Sequence, residues 1–238
     1  MNFFDFKIER ADGLGFGLFS PGHLGGMLFC AGLLAGLCVG YRRLGAVGRH
    51  GMRRAVAFSA VGLELVRALA LILGGEYSVG RLPLHLCSLA IYITLLHALR
   101  GGELTGQFLY AFCMPGAIAA ILLPDWNYYP LFHFMPFCGF TLHALIAGYA
   151  LMLTCGGELR PELRRTPACL GLMLLMAVPV YLFDLWADTN YMFLNWPPEH
   201  TPLAWFRFLG RGFVLGYLPL IAAVWALIYL PFYARGRR

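Results

Sequence analysis

Seven apolar runs of 17 to 22 residues constrain this chain more than anything else in it. A hydrocarbon core about 30 Å thick takes roughly 20 apolar residues to cross as a helix. The runs fall at 24–41, 55–73, 83–99, 104–123, 132–153, 168–186 and 213–232. Composition agrees: 60% of residues are hydrophobic and 13% charged, against about 25% charged in an ordinary globular domain. The expectation is an all-α, polytopic membrane bundle of seven transmembrane helices, forming one domain over 1–238.

The linkers between runs carry Gly, Pro and charge, as breaks between helices do. No internal repeat is evident, so a repeat-built transporter is not expected. Residues 1–22 mix charges with phenylalanines and lack the cationic-then-apolar order of a cleaved signal peptide. They read as a retained leader lying at the membrane interface. The seven cysteines include no CxxC pair, which points to neither a disulfide framework nor a zinc site, and no metal or cofactor is expected.

The net charge of +6 has a topological explanation that needs no nucleic acid. Twelve Lys and Arg residues fall in the first, third and fifth linkers and the tail. Five fall on the other side, at Lys7, Arg10, Arg81, Arg207 and Arg211. By the positive-inside rule the N-terminus is outside and the C-terminus cytoplasmic, in the plasma membrane of the cell. The sixth linker, 187–210, is too polar to span and is expected to cap the outer mouth.

Ionisable residues inside the runs each need a reason, because a charge in hydrocarbon costs about 2.5–3.5 kcal/mol even on lenient scales. Glu64 and Arg67 are three apart and share a helix face. They read as a self-neutralising pair, as the wall of a polar cavity with Arg67 open to a phosphate or carboxylate, or as both. Asp184 and Asp188 end the sixth run; Asp188 marks the helix exit, and Asp184 is open between that and a relay. His50, His97 and His200 read as loop or interfacial residues, and His23 as a cap ahead of the first run. His133 and His143 both lie on the fifth run, ten residues apart and on different faces.

The stretch Arg81-Leu-Pro-Leu-His-Leu-Cys-Ser88 stands out. Pro83 suits the first position of a helix, where its missing N–H costs nothing. Cys87 then sits about a turn inside, where the helix dipole favours a thiolate and burial opposes one. His85 is two residues away and points about 200° from Cys87, a poor base for it. A histidine from another run, His143 or His133, is the better partner.

Leu-Pro-Leu-His-Leu-Cys-Ser (82–88) resembles the signature of the YwaF-type bacterial integral membrane proteins. The likeness extends to Ser-Pro-Gly-His (20–23), Leu-Pro-Asp (123–125), the segment ending in His143 and Asn-Tyr-Met-Phe-Leu (190–194). That group is similar to an animal transmembrane protein described as a cysteine-dependent phospholipid acyltransferase. The resemblance implies a catalytic Cys87 with His143, and a membrane phospholipid or lysophospholipid as substrate. In that picture Cys87 carries the acyl group as a thioester and Ser88 helps hold the oxyanion. Arg67 or Arg81 holds the lipid phosphate, and Asn190 and Tyr191 join the substrate-binding residues. By residue counting His143 lies about 10 Å deeper than Cys87, a gap that tilt or a late helix start must close. The alternatives are a transporter or channel with an intramembrane polar route, a metal or haem site at His85, His133 and His143, and a non-catalytic lipid-binding protein.

Overall fold

The computed structural model describes residues 3–8, 12–199 and 201–235; expectations that fall on Glu9, Arg10, His200, Arg237 and Arg238 lie outside the described residues. Seven helices follow in order: α1 (Pro21–Arg43), α2 (Ala46–Leu73), α3 (Leu86–Arg100), α4 (Glu103–Leu122), α5 (Phe134–Cys155), α6 (Thr166–Ala187) and α7 (Tyr217–Arg235). Among the described residues there is no strand. Six helical runs are long and apolar enough to cross a membrane, and α3 is apolar but only 15 residues long.

Local chemistry explains where the boundaries depart from the apolar runs. α1 starts three residues early because Pro21 takes its first position and the Ser20 hydroxyl accepts from His23 N–H. α2 starts nine residues early, so Arg49, Arg53 and Arg54 ride on its first turns instead of a loop. Cations are unfavourable at a helix N-terminus. The Glu158 carboxylate offsets this, accepting from Arg53 at 2.8 Å and Tyr41 at 2.7 Å and lying 3.5 Å from Arg49. In the loop between α5 and α6, the Arg164 guanidinium hydrogen-bonded to Glu162 holds that carboxyl below its usual range.

α3 begins at Leu86, not at Pro83, with His85 as its N-cap residue. The chain before it is folded back, with Leu84 N–H donating to Leu82 C=O. α7 begins at Tyr217 instead of Phe213, after a 3₁₀ run over Pro202–Gly216 that bends at Gly210. There φ is +56° and ψ −131°, a conformation that favours glycine.

α5 is the pillar of the bundle. Fourteen of its 22 residues are buried, and it packs against α1, α2, α3 and α4. A helix apolar all round belongs in the centre of the assembly. α4 carries one π turn over Leu109–Cys113, a geometry that shifts side chains around the axis. Two hydrogen bonds stitch α7 to it: Trp225 Nε1 donates to Ala111 C=O at 2.9 Å, and the Tyr110 hydroxyl donates to Ile228 C=O at 2.7 Å.

The leader does more than rest at an interface. Phe6 is buried in the main core, and Phe3 C=O accepts from Phe134 N–H at the start of α5. Phe3, Phe4 and Phe6 pack their rings around Phe134, which gives this segment apolar surface to bury.

Candidate functional site

The helix ends nearest the Arg81–Ser88 stretch enclose a cavity of about 1020 Å³. Its walls are mostly apolar, from α3, α4, α5, α6 and α7, with polar groups gathered at one end. Cys87, His143, His85, Ser88, Glu64, Arg67 and Arg81 all line it. His133, Asn190 and Tyr191 do not.

Cys87 is the second residue of α3, closer to the helix start than a helix from Pro83 allows. No side chain caps this end, and the first intrahelical bond runs from Leu89 N–H to His85 C=O. The N–H groups of Leu86, Cys87 and Ser88 therefore have no partner within the helix. The thiol is free and half-buried.

His143 reaches the same cavity from the middle of α5. Its Nδ1 lies 2.7 Å from Gly139 C=O. A carbonyl only accepts, so Nδ1 carries the proton and Nε2 keeps a lone pair. The ring is stacked on Trp126 at 4.8 Å between centroids, which fixes its plane. Gly139 makes that possible, because a Cβ there would lie 2.6 Å from the Trp126 ring.

His85 has the opposite tautomer. Its Nδ1 accepts from Met192 N–H at 3.3 Å, so Nε2 carries the proton and the ring presents a donor. Met192 and Phe193 both have positive φ, +53° and +54°. For non-glycine residues that is strained backbone, of the kind that gathers at functional sites. Here it aims the Met192 amide at His85.

Asp125, quoted only within the Leu-Pro-Asp likeness, is the residue to which the sequence assigned no role. It lines the cavity and acts electrostatically on Cys87, His85 and His143 alike. The only signal was its place in Leu123-Pro124-Asp125, a carboxylate just beyond an apolar run. Arg67 meets Glu64 in a two-point ion pair, Nε to Oε2 at 2.8 Å and Nη2 to Oε1 at 2.6 Å. Nη1 is not part of that pair.

Three expected site residues have structural duties instead. His133 caps α5: its Nδ1 accepts from Met135 N–H, and its Nε2 meets Asp5 C=O at 3.0 Å. It does not line the cavity. Asn190 spends its carbonyl on the amides of Asn195 and Trp196 and donates to Trp196 C=O. The Tyr191 hydroxyl accepts from Leu82 N–H at 2.8 Å and donates to Val79 C=O at 2.6 Å, pinning the approach to α3. Asp184 is buried and accepts from Thr189 and from Tyr191 N–H, which anchors the turn after α6. Asp188, left-handed at φ +51°, ends that helix.

Tyr191→Phe deletes both hydroxyl bonds, and the loss of a buried donor–acceptor is worth about 1–3 kcal/mol. The expected result is faster amide hydrogen exchange over residues 79–85 with α5 unchanged, read by mass spectrometry. Uniform exchange across the bundle would contradict it.

Six helices of crossing length, five of which line an internal hollow, define a multi-pass helical membrane protein. The model of the TMEM164 family matches residues 18–229, and the chain belongs to that family. No curated protein and no solved structure matches it. Among the described residues, no three His, Cys, Asp or Glu side chains are grouped so as to hold a metal ion.

Proposed function

We propose that this chain is a cysteine-dependent phospholipid acyltransferase of the YwaF-type bacterial branch. It works in the plasma membrane with seven crossings, N-terminus outside and C-terminus cytoplasmic. The observation that carries the reading is the tautomer of His143: Nδ1–H is held by Gly139 C=O, which leaves Nε2 basic in the cavity that Cys87 also lines. A base oriented by a third group beside a nucleophile is the logic of covalent catalysis.

In the first half-reaction His143 Nε2 takes the Cys87 thiol proton, and the sulfur attacks an ester carbonyl of a phospholipid. The tetrahedral intermediate collapses as the ester C–O bond breaks. The imidazolium returns its proton to the departing lysolipid oxygen, leaving an acyl-thioester on Cys87. In the second half a lysolipid hydroxyl gives its proton to His143 and attacks the thioester carbonyl; the C–S bond breaks as the new ester forms, and the imidazolium returns the proton to the Cys87 sulfur. Unpaired N–H groups at the start of α3 and the Ser88 hydroxyl stabilise the oxyanion. Arg81 and the Nη1 of Arg67 hold the lipid phosphate.

For the seventh crossing, the folded lead-in over 79–85 supplements the short α3, and the twelve-to-five charge asymmetry supports the orientation. A through-route for transport finds less support. The second polar hollow, about 480 Å³ around Arg53, His97 and Glu158, shares no lining residue with the first.

A lipid-like thiol-reactive probe tests the site. Wild type is expected to be labelled at Cys87, with Cys87→Ala losing that label, as read by peptide mass spectrometry. Equal labelling of the two proteins ends the proposal.

A further inference from the structure

The cavity walls contributed by α6 and α7 differ from the rest. On α6 the lining residues are Leu170, Met173, Leu174, Ala177, Val178 and Tyr181, spaced by threes and fours along one helical stripe. On α7 the stripe runs through Leu218, Ile221, Val224 and Trp225. Among the described residues these two helices have no extended packing interface with each other. Their stripes face one hollow without closing on it.

Some of these residues face outward as well as inward. Leu174 is 53% exposed and Val178 54% on α6, while Leu218 is 59% exposed on α7, yet all three line the cavity. A side chain does both only at the rim of an opening. The rim residues named are wholly apolar, so at membrane depth it borders hydrocarbon and not water. Leu174 and Val178 lie in the middle of α6, away from both of its ends. The opening is therefore on the flank of the bundle.

Its level along the bundle also follows. α6 runs toward Asp184 and the Tyr191 turn beside His85. α7 leaves from Tyr217, whose hydroxyl donates to Met192 C=O at 2.8 Å in that same region. The rim on α7 is in its first half and the rim on α6 in its middle. The slot thus opens on the half of the cavity that carries the polar groups.

We infer that the acyl chain of a bilayer phospholipid enters sideways through the slot between α6 and α7, past Leu174, Val178 and Leu218. The head group meanwhile stays at the polar end near Arg81. This deepens the acyl-transfer reading and rests on its lipid substrate. It adds the route and the part of the lipid that passes.

The test uses the full chain in phosphatidylethanolamine–phosphatidylglycerol vesicles. The lipid probe is a phospholipid with a diazirine at the end of one acyl chain. Val178→Trp with Leu218→Trp fills the slot, and both positions are exposed, so the core is untouched. Leu182→Trp with Leu227→Trp places the same bulk at exposed positions that do not line the cavity.

Photo-cross-linking to cavity peptides is expected to fall about tenfold or more in the first pair, because the indoles take up volume the chain would fill. It stays at the wild-type level in the second pair. A small water-soluble thiol reagent is expected to modify Cys87 at an unchanged rate in both. Equal cross-linking in the two pairs overturns the inference, as does a parallel fall in cross-linking and small-reagent labelling. Repeating the cross-linking in Cys87→Ala separates the two ideas. Slot-dependent cross-linking there, with no acyl group ever found on Cys87 in the parent, keeps the portal and sinks the chemistry.

Discussion

His143→Ala is expected to slow acylation of Cys87 by roughly 10²–10⁴-fold, the range that a positioned general base supplies. The expectation follows from hydrogen-bond bookkeeping at two imidazoles. Gly139 C=O fixes the proton of His143 on Nδ1 and leaves Nε2 to accept. Met192 N–H fixes the proton of His85 on Nε2 and leaves nothing there to accept. The two rings share a cavity, and in the proposed reading only His143 acts as the base. His85→Ala is therefore expected to cost far less in acylation rate, and added imidazole to restore part of the His143→Ala loss. Pre-steady-state acylation, followed by quenched mass spectrometry, separates the two variants. A larger loss in His85→Ala than in His143→Ala would reverse the assignment.

Glu64→Ala is expected to destabilise the fold by about 3–5 kcal/mol, because it strands a guanidinium in the bundle. The side chains of Glu64 and Arg67 are only 7% and 14% exposed, and their bidentate contact is short. Removing one partner leaves the full desolvation cost of the other uncompensated. Thermal unfolding in detergent is the measurement, with a drop on the order of 10 °C. Glu64→Leu combined with Arg67→Leu is expected to recover much of the loss, since two apolar residues need no partner. A loss of under about 1 kcal/mol would show the pair behaving as an exposed one, solvated from the cavity.

What the sequence disclosed depended on how local the cause was. The apolar runs set the helical class, because length and hydropathy act within one segment. Cys87 stood out through a local oddity, a His and a Cys opening an apolar run. The pairing with His143 was expected from the resemblance, and that the two line one cavity follows from how α3 packs on α5, which no local signal encodes. His133 and His143 lie on the same apolar run, and only the resemblance favoured His143. What separates them is a contact from the distant leader: Asp5 C=O occupies one nitrogen of His133.

Helix starts misled for a physical reason. Pro83 is compatible with a helix start but does not compel one, and the Tyr191 hydroxyl, more than a hundred residues away, holds Val79 and Leu82 in the lead-in. Tyr191 therefore shapes the chain leading into α3, while Asn190 holds the turn that follows it at 195–196. Asp125, though part of the Leu-Pro-Asp likeness, was given no role because a carboxylate at the end of an apolar run has the look of a boundary. Only the fold turns it toward two histidines and a thiol.

The most direct measurement is the mass of the Cys87 peptide after the purified protein meets a defined phospholipid and the reaction is quenched in acid. An increment of one fatty acyl group on Cys87 is predicted, released by neutral hydroxylamine and missing from Cys87→Ala. Acyl transfer by Cys87→Ala at the wild-type rate, or an acyl group found only on another residue, would contradict it.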